Sequence, residues 1–317
     1  MSLPSVSPAL FRRLTVIAAI LLAAIVVTGG AVRLTGSGLG CPTWPRCTST
    51  SIVAPDSYHA LVEFVNRVVT SLVGVFIGVV AVASWLRQPK RRDLIWLSLS
   101  LIAGFIAQAV VGGLSVLYHL TPPWVMAHFL LSMVILAAAI VLVRRADPAF
   151  TPSPALVRRE LVVLVNLLVA SASVVLFLGT VTTGTGPHAG SGDHIQRLPF
   201  PLERVTQLHA DSALFLTGLV IATLFAVRLT PTTGLIRRRA SLVAILVLVQ
   251  VAIGYTQYFL NLPPGVIELH IAGATALWAA TIGLRLSLST REDVCPSWAT
   301  QSPRARTDRQ VEEEVVR

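Results

Sequence analysis

QAVVGGLSVLYHLTPPWVMAH, residues Gln108–His128, decides how this chain is read, because the same pattern returns as QVAIGYTQYFLNLPPGVIELH, residues Gln250–His270. Both begin with Gln, place a Gly four residues later (Gly112, Gly254), turn at a Pro pair and reach a His twenty residues after the Gln. Gln108, Gly112, Pro122 and His128 match Gln250, Gly254, Pro264 and His270 at one offset of 142 residues. A single shared His carries little weight; four features at near-constant spacing mark an internal duplication. Each copy is two apolar runs joined by a Pro-Pro turn, a pattern that predicts a helical hairpin.

Working outward, apolar runs of about 20 residues occur at 12–33, 61–86, 93–117, 123–143, 160–182, 203–228, 238–260 and 265–288. The chain is 54% hydrophobic and 13% charged, against about a quarter charged for a soluble domain, so it is expected to be an integral membrane protein. The expected fold is all-α: eight transmembrane helices forming two tandem four-helix bundles related by a pseudo-two-fold along the membrane normal. Residues 1–11 are expected to be a cytoplasmic N-terminus, 12–143 the first half, 144–159 a cytoplasmic linker, 160–288 the second half and 289–317 a disordered cytoplasmic tail.

The net charge of +10 does not indicate a nucleic-acid partner. Arg12 and Arg13 precede the first span, and basic clusters at 87–92, 144–159 and 237–239 follow the second, fourth and sixth. The alternate loops carry only Arg33, Arg46 and Arg197 in or near them. This asymmetry predicts a plasma-membrane protein with both termini in the cytoplasm and the lipid bilayer as its surroundings. The first span has a longer apolar stretch than a signal peptide core, so it is expected to be retained.

All seven histidines fall in the outer loops or the outer ends of spans. His209 and His270 sit at similar depth in spans six and eight, roughly one to two turns in. A pair of imidazoles across a helix bundle suits a haem iron, whereas zinc asks for a third or fourth protein ligand. Asp211 and Glu268 each lie two residues from a His and off its face. In the first half, His128 is the equivalent of His270. Span two carries HALVEFVNRVV (59–69), which puts His59, Glu63, Asn66 and Arg67 on one helical face. The duplication sets Asn66 about where the second half has His209, so one imidazole is missing there.

Ionisable groups at membrane depth are costly and usually functional. Glu63 and Arg67, four residues apart, can form a helix-stabilising ion pair; alternatively Glu63 is catalytic and Arg67 meets a haem propionate. His59 either caps the span at the interface or supplies the second imidazole. Cys41 and Cys47, in the first outer loop on the oxidising side, are expected to form a disulfide, structural or redox-active. Cys295 is expected to be a reduced thiol in the tail. A membrane b-type cytochrome that only carries electrons is the alternative to an enzyme. A transporter fits less well, because the ionisable groups cluster at outer helix ends.

Taken jointly, TGGAVRLTGSGLGCPTWPRC (28–47), the E-x-x-N-R start of span two, TGPHAG (185–190), LHADSALF around His209 and ELHIAG around His270 resemble haem A synthase over roughly residues 12–288. The resemblance implies an oxidoreductase that converts the C8 methyl of haem O to the formyl of haem A by successive hydroxylations, with water as oxygen source, for cytochrome c oxidase biogenesis. It implies a haem b cofactor with iron held by His209 and His270 in the second half. It implies a substrate haem in the first half near His128, Asn66, Arg67 and His59, with Glu63 catalytic. Haem O synthase and oxidase assembly factors are the implied partners, and a homo-oligomer is left open. The pair Cys41 and Cys47 matches a family feature. Two departures stand out: many members have His where this chain has Asn66, and the loop GPHAGSGDHIQRLPFP (186–201) lacks the Cys pair that some members carry. His188 and His194 in that loop are read as solvated, or as near a propionate.

Overall fold

A computed structural model describes residues 5–149, 157–192 and 196–288, and its described residues form eight helices with no strand beyond isolated bridges. These are α1 (Pro8–Leu34), α2 (Tyr58–Leu86), α3 (Arg92–Leu117), α4 (Pro122–Ala146), α5 (Arg159–Thr185), α6 (Leu202–Leu229), α7 (Gly234–Phe259) and α8 (Pro264–Ser287). Each is long and apolar enough to cross a membrane. Part of the linker (150–156), the tail from 289 with Cys295, and His194 lie outside the described residues.

The helices overrun their apolar cores where a cap allows it. α1 starts at Pro8 because Ser7 Oγ accepts the Leu10 amide at 3.2 Å and proline suits a first helical position. α2 starts at Tyr58 because Ser57 Oγ accepts the Ala60 amide. The hairpins α3–α4 and α7–α8 turn identically. His119 and Leu120 (φ 53° and 56°), like Asn261 and Leu262 (φ 58° and 60°), take the left-handed conformation, and a proline opens or follows immediately. Leu120 N donates to Ser115 O and Leu262 N to Gln257 O, both at 2.7 Å. Left-handed non-glycine residues cost about 1–2 kcal/mol each, so their recurrence marks a backbone solution kept in both hairpins.

In the first half each helix packs on its chain neighbour and α1 closes on α4; α5 to α8 repeat that ring. The halves meet where α1 touches α8 and α4 touches both α5 and α8. Neither α2 with α4 nor α6 with α8 is in direct helix contact. Each ring therefore has an interior framed by two diagonal helices, and the histidines lie on those diagonals.

Burial repeats with the sequence. Leu94, Ser98 and Leu101 of α3 correspond to Ile236, Ala240 and Val243 of α7, and Leu136, Ala139 and Leu142 of α4 to Trp278, Thr281 and Leu284 of α8, all buried and all 142 residues apart. In α2, buried Val73, Ile77, Val80 and Ser84 match Leu216, Val220, Thr223 and Val227 of α6 at 143. In α1, Phe11, Thr15, Ala18 and Leu22 match Leu161, Val165, Leu168 and Ala172 of α5 at 150. The register drifts only in the loops.

Helices in lipid associate through close packing and hydrogen bonds more than through the hydrophobic effect. Trp278 Nε1 donates to Met133 O at 2.8 Å, joining the halves in their buried centre. At the arginine-rich end, Arg12 meets Asp147 at 3.2 Å and Val6 exchanges backbone bonds with Leu86 and Gln88. At the other end, Gly38 N donates to Gly190 O at 2.9 Å, stitching the first loop to the second half.

Candidate functional site: two imidazole diagonals

Three of the intramembrane histidine rings lie against a glycine of the preceding helix. A Cβ at Gly112 on α3 would stand 2.8 Å from Cε1 of His128; at Gly179 on α5, 3.2 Å from Cε1 of His209; at Gly254 on α7, 3.6 Å from Cε1 of His270. The missing side chain is what lets the backbone approach a ring at this depth. The fourth place in the scheme belongs to Gly29, which the 150 register pairs with Gly179. A Cβ there would meet nothing within 4 Å. The 143 register puts Asn66 where α6 has His209, and the shorter side chain turns to α1, where Thr28 Oγ1 donates to its Oδ1 at 2.9 Å. The position beside Gly29 is open, and no ring of this chain lies against it.

In the second half, the His209 and His270 ring centres are 6.4 Å apart with their planes at 77°. α6 and α8 come together here only through side chains. A metal held by one nitrogen of each ring at about 2 Å sets the ring centres about 6 Å apart, a spacing this pair matches. Nδ1 of His209 is buried without a hydrogen-bond partner. Among the described residues no group of three or more His, Cys, Asp or Glu could hold a bare ion. The donor set is thus two facing imidazoles, a set that fits a haem better than a bare ion.

Gln250 sits behind His270, its amide 2.8 Å from Nδ1, 3.3 Å from the His270 carbonyl and 3.0 Å from Ala274 N. With nitrogen toward the ring it donates to Nδ1; with oxygen toward the ring it accepts Nδ1–H and leaves Nε2 its lone pair for a metal. A Cβ on Gly273 would strike this amide, so the glycine is required for Gln250 to reach the ring. Nearby, both carboxyl oxygens of Glu268 are buried without a partner, against Gly30 of α1.

In the first half, Gln108 Nε2 donates to His128 O at 2.9 Å and to Ser132 Oγ at 2.6 Å, and His128 Nδ1 is buried without a partner. His128 is the one imidazole on this diagonal. His59 stands apart, exposed at the start of α2, with Nδ1 2.9 Å from Ser37 Oγ and its ring edge on Tyr58. That places it at the mouth of α2, bonded to the first loop.

Glu63 and Arg67 form the ion pair that their spacing allows, and the pair holds the first loop. Glu63 is 5% exposed; its Oε2 accepts the Cys41 amide at 2.7 Å and its Oε1 accepts Nε of Arg67 at 3.0 Å. Arg67 Nη1 donates to Thr43 O and Arg46 O, and Nη2 to Cys41 O and Glu63. All five N–H groups of the guanidinium are engaged inside the protein, which leaves none for a propionate. Cys41 and Cys47 are joined, closing the loop that Arg67 grips.

Several contributors are not legible as site residues in the sequence. Arg33 registers there only as a charge on the arginine-poor side, yet its Nε donates to His188 O at 2.9 Å and its Nη2 to Thr183 O, while His188 Nε2 lies 3.0 Å from Leu262 O. Three connections across both halves are locked this way, and His188 is a structural link instead of a solvated loop residue. Gly112, Gly254, Gln108 and Gln250 are visible as repeat markers; their roles as ring cradles and ring partners need coordinates.

A family model described as COX15-CtaA, "Cytochrome oxidase assembly protein", matches residues 12–60 and 53–190. Together these cover 12–190, or 179 of 317 residues, more than half of the chain. The chain is similar to proteins named "Heme A synthase" from Alkalihalophilus pseudofirmus (30% identical over 119 residues, 37% of this chain and 40% of that one). Similar matches come from Listeria welshimeri (31% over 121 residues, 37% and 40%) and Lysinibacillus sphaericus (33% over 120 residues, 37% and 39%). The aligned region thus spans about 40% of the length of these relatives.

Proposed function

The chain belongs to the COX15-CtaA family of cytochrome oxidase assembly proteins, and from that premise we propose that it is a haem A synthase, oxidising the C8 methyl of haem O to a formyl group. The observation that carries this is the inequality of its two diagonals: two facing imidazoles in one half, one imidazole and an open space in the other. His209 and His270 would hold a haem b, which would supply reversible one-electron chemistry. With both imidazoles bound, that group would carry electrons and would not take up a reacting molecule. The first half, with His128 alone, leaves a position free, and that suits substrate.

Glu63 is the group to manage protons there. Its carboxylate is fixed by the Cys41 amide and Arg67, at the loop side of the first half. Oxidising a methyl group with the oxygen of water releases protons as well as electrons, and a held carboxylate is suited to accept them. Arg67 acts on Glu63 and on the loop, so it is a positioning residue. Gln108 and Gln250 orient the hairpins that carry His128 and His270. The apolar walls of both halves exclude bulk water.

The test is pigment analysis by mass after expression with a haem O source. Wild type should yield haem A, and Glu63→Gln should yield none while keeping the second-half cytochrome spectrum. Haem b as the sole pigment from wild type would instead make the protein a membrane cytochrome that only carries electrons.

A further inference from the structure

On the exposed flank of the first half, α1 and α2 part to leave a groove of about 410 Å³. Ala31 and Val32 form one wall; Leu61, Val65 and Val69, which are 40–56% exposed, form the other. The groove is mostly apolar; Thr35 lies in its lining with its hydroxyl bonded to the Ala31 carbonyl, and Asn66 meets Thr28 across the seam. Thr28 satisfies the Asn66 oxygen, and the amide nitrogen has no hydrogen-bond partner among the described residues. A free amide donor at membrane depth is costly unless something engages it. Asn66 also stands where α6 has His209, so one residue of the groove sits at the ring position of the candidate substrate site.

The second half supplies an internal comparison. By the registers of 150 and 143, Ala31, Val32, Leu61 and Val69 become Val181, Thr182, Arg204 and Ser212. There the seam is bridged, with Thr182 Oγ1 donating to Val205 O at 3.4 Å. Each seam carries one such bond, and the difference is in the lining, which is more apolar in the single-imidazole half than at the matching positions of the bis-imidazole half. The two haems assigned to these halves differ in the matching way. Haem O carries an isoprenoid chain with a hydroxyl at its root, and haem b carries neither. The volume lies at the low end of small-ligand sites, about 300–1,000 Å³, and suits a chain better than a macrocycle.

We propose that the α1–α2 groove holds the isoprenoid chain of the substrate haem, with the Asn66 amide donating to the hydroxyl at the root of that chain. This rests on the first half being the substrate site. Asn66 then replaces an iron ligand with a group that recognises the tail, and the exposed rim lets a tailed macrocycle enter from the bilayer.

The experiment titrates full-length protein in nanodiscs, its second half already filled, with haem O and separately with haem b, followed by absorbance. Wild type should favour haem O in the first half by about tenfold or more. Replacing the walls with their second-half counterparts (Ala31→Val, Val32→Thr, Leu61→Arg, Val69→Ser) should abolish the preference and leave haem b affinity unchanged. Asn66→Leu, which keeps the groove apolar, should weaken haem O alone by about fivefold, the worth of one neutral hydrogen bond. Equal binding of the two haems by wild type would overturn the groove assignment and leave the substrate-site reading standing. So would a preference that survives the wall replacement, or a phospholipid found by native mass spectrometry in the wild type and absent from the variant. Failure of the first half to bind either haem would overturn the substrate-site reading itself.

Discussion

Arg67→Ala tests how the first loop is held. The substitution deletes five hydrogen bonds, three of them to the loop carbonyls of Cys41, Thr43 and Arg46, and strips Glu63 of its cation. Breaking a buried ion pair by removing one partner costs about 3–5 kcal/mol. The side chains of Arg67 and Glu63 are 23% and 7% exposed, so water entering the vacated space offsets part of this, and about 3 kcal/mol is expected. The cost falls on local opening of the loop more than on the helices, because the lost bonds tie residues 41–46 to α2. Trypsin cleavage after Arg46, an exposed residue in the loop, reports the open population when opening is fast. A 3 kcal/mol shift raises that population by about 150-fold. The nick is read on a reducing gel, since the disulfide otherwise holds the fragments together. The double variant Glu63→Gln, Arg67→Ala should open less than Arg67→Ala, because no unpaired charge is left behind. An increase in cleavage below about fivefold, the worth of an exposed pair, would refute the clamp.

Other outcomes follow from the same geometry. Asn66→His should place an imidazole in the open space at Gly29 and convert the first half to a low-spin centre; an unchanged spin state would mean the diagonal is not spaced as in the second half. Gly112→Ala puts a methyl 2.8 Å from the His128 ring and should weaken haem binding in the first half while the second-half spectrum persists. Gly273→Leu should displace Gln250 and lower the midpoint stability of the second-half haem; retention of wild-type behaviour would remove Gln250 as a partner of His270. Cys47→Ser should raise trypsin cleavage in the first loop, though less than Arg67→Ala, because the Arg67 bonds remain.

Much of this arrangement is legible in the chain. The eight spans follow from apolar length, and the duplication is read from Gln108–His128 against Gln250–His270, where left-handed turns and buried positions recur at matching places. The pairing of His209 with His270 follows from depth and repeat, and Cys41 with Cys47 from their spacing in one loop. Helix starts are less legible, since Ser7 and Ser57 extend α1 and α2 by caps that hydropathy does not register. The fate of Arg67 is hidden for a related reason: its partners are main-chain carbonyls, which every sequence possesses. Gly29 and Gly179 are silent because a glycine announces space without saying what occupies it. The true registers of α1 against α5 and of α2 against α6 appear only in burial, since loop lengths shift them away from 142.

The account stands most directly on the inequality of the two halves. Magnetic circular dichroism of the purified protein, loaded with haem b and haem O, reads axial ligation at each iron. One bis-imidazole low-spin centre, lost in His209→Ala, and one single-imidazole high-spin centre, lost in His128→Ala, are the predicted result. Two low-spin bis-imidazole centres in the wild type would contradict it.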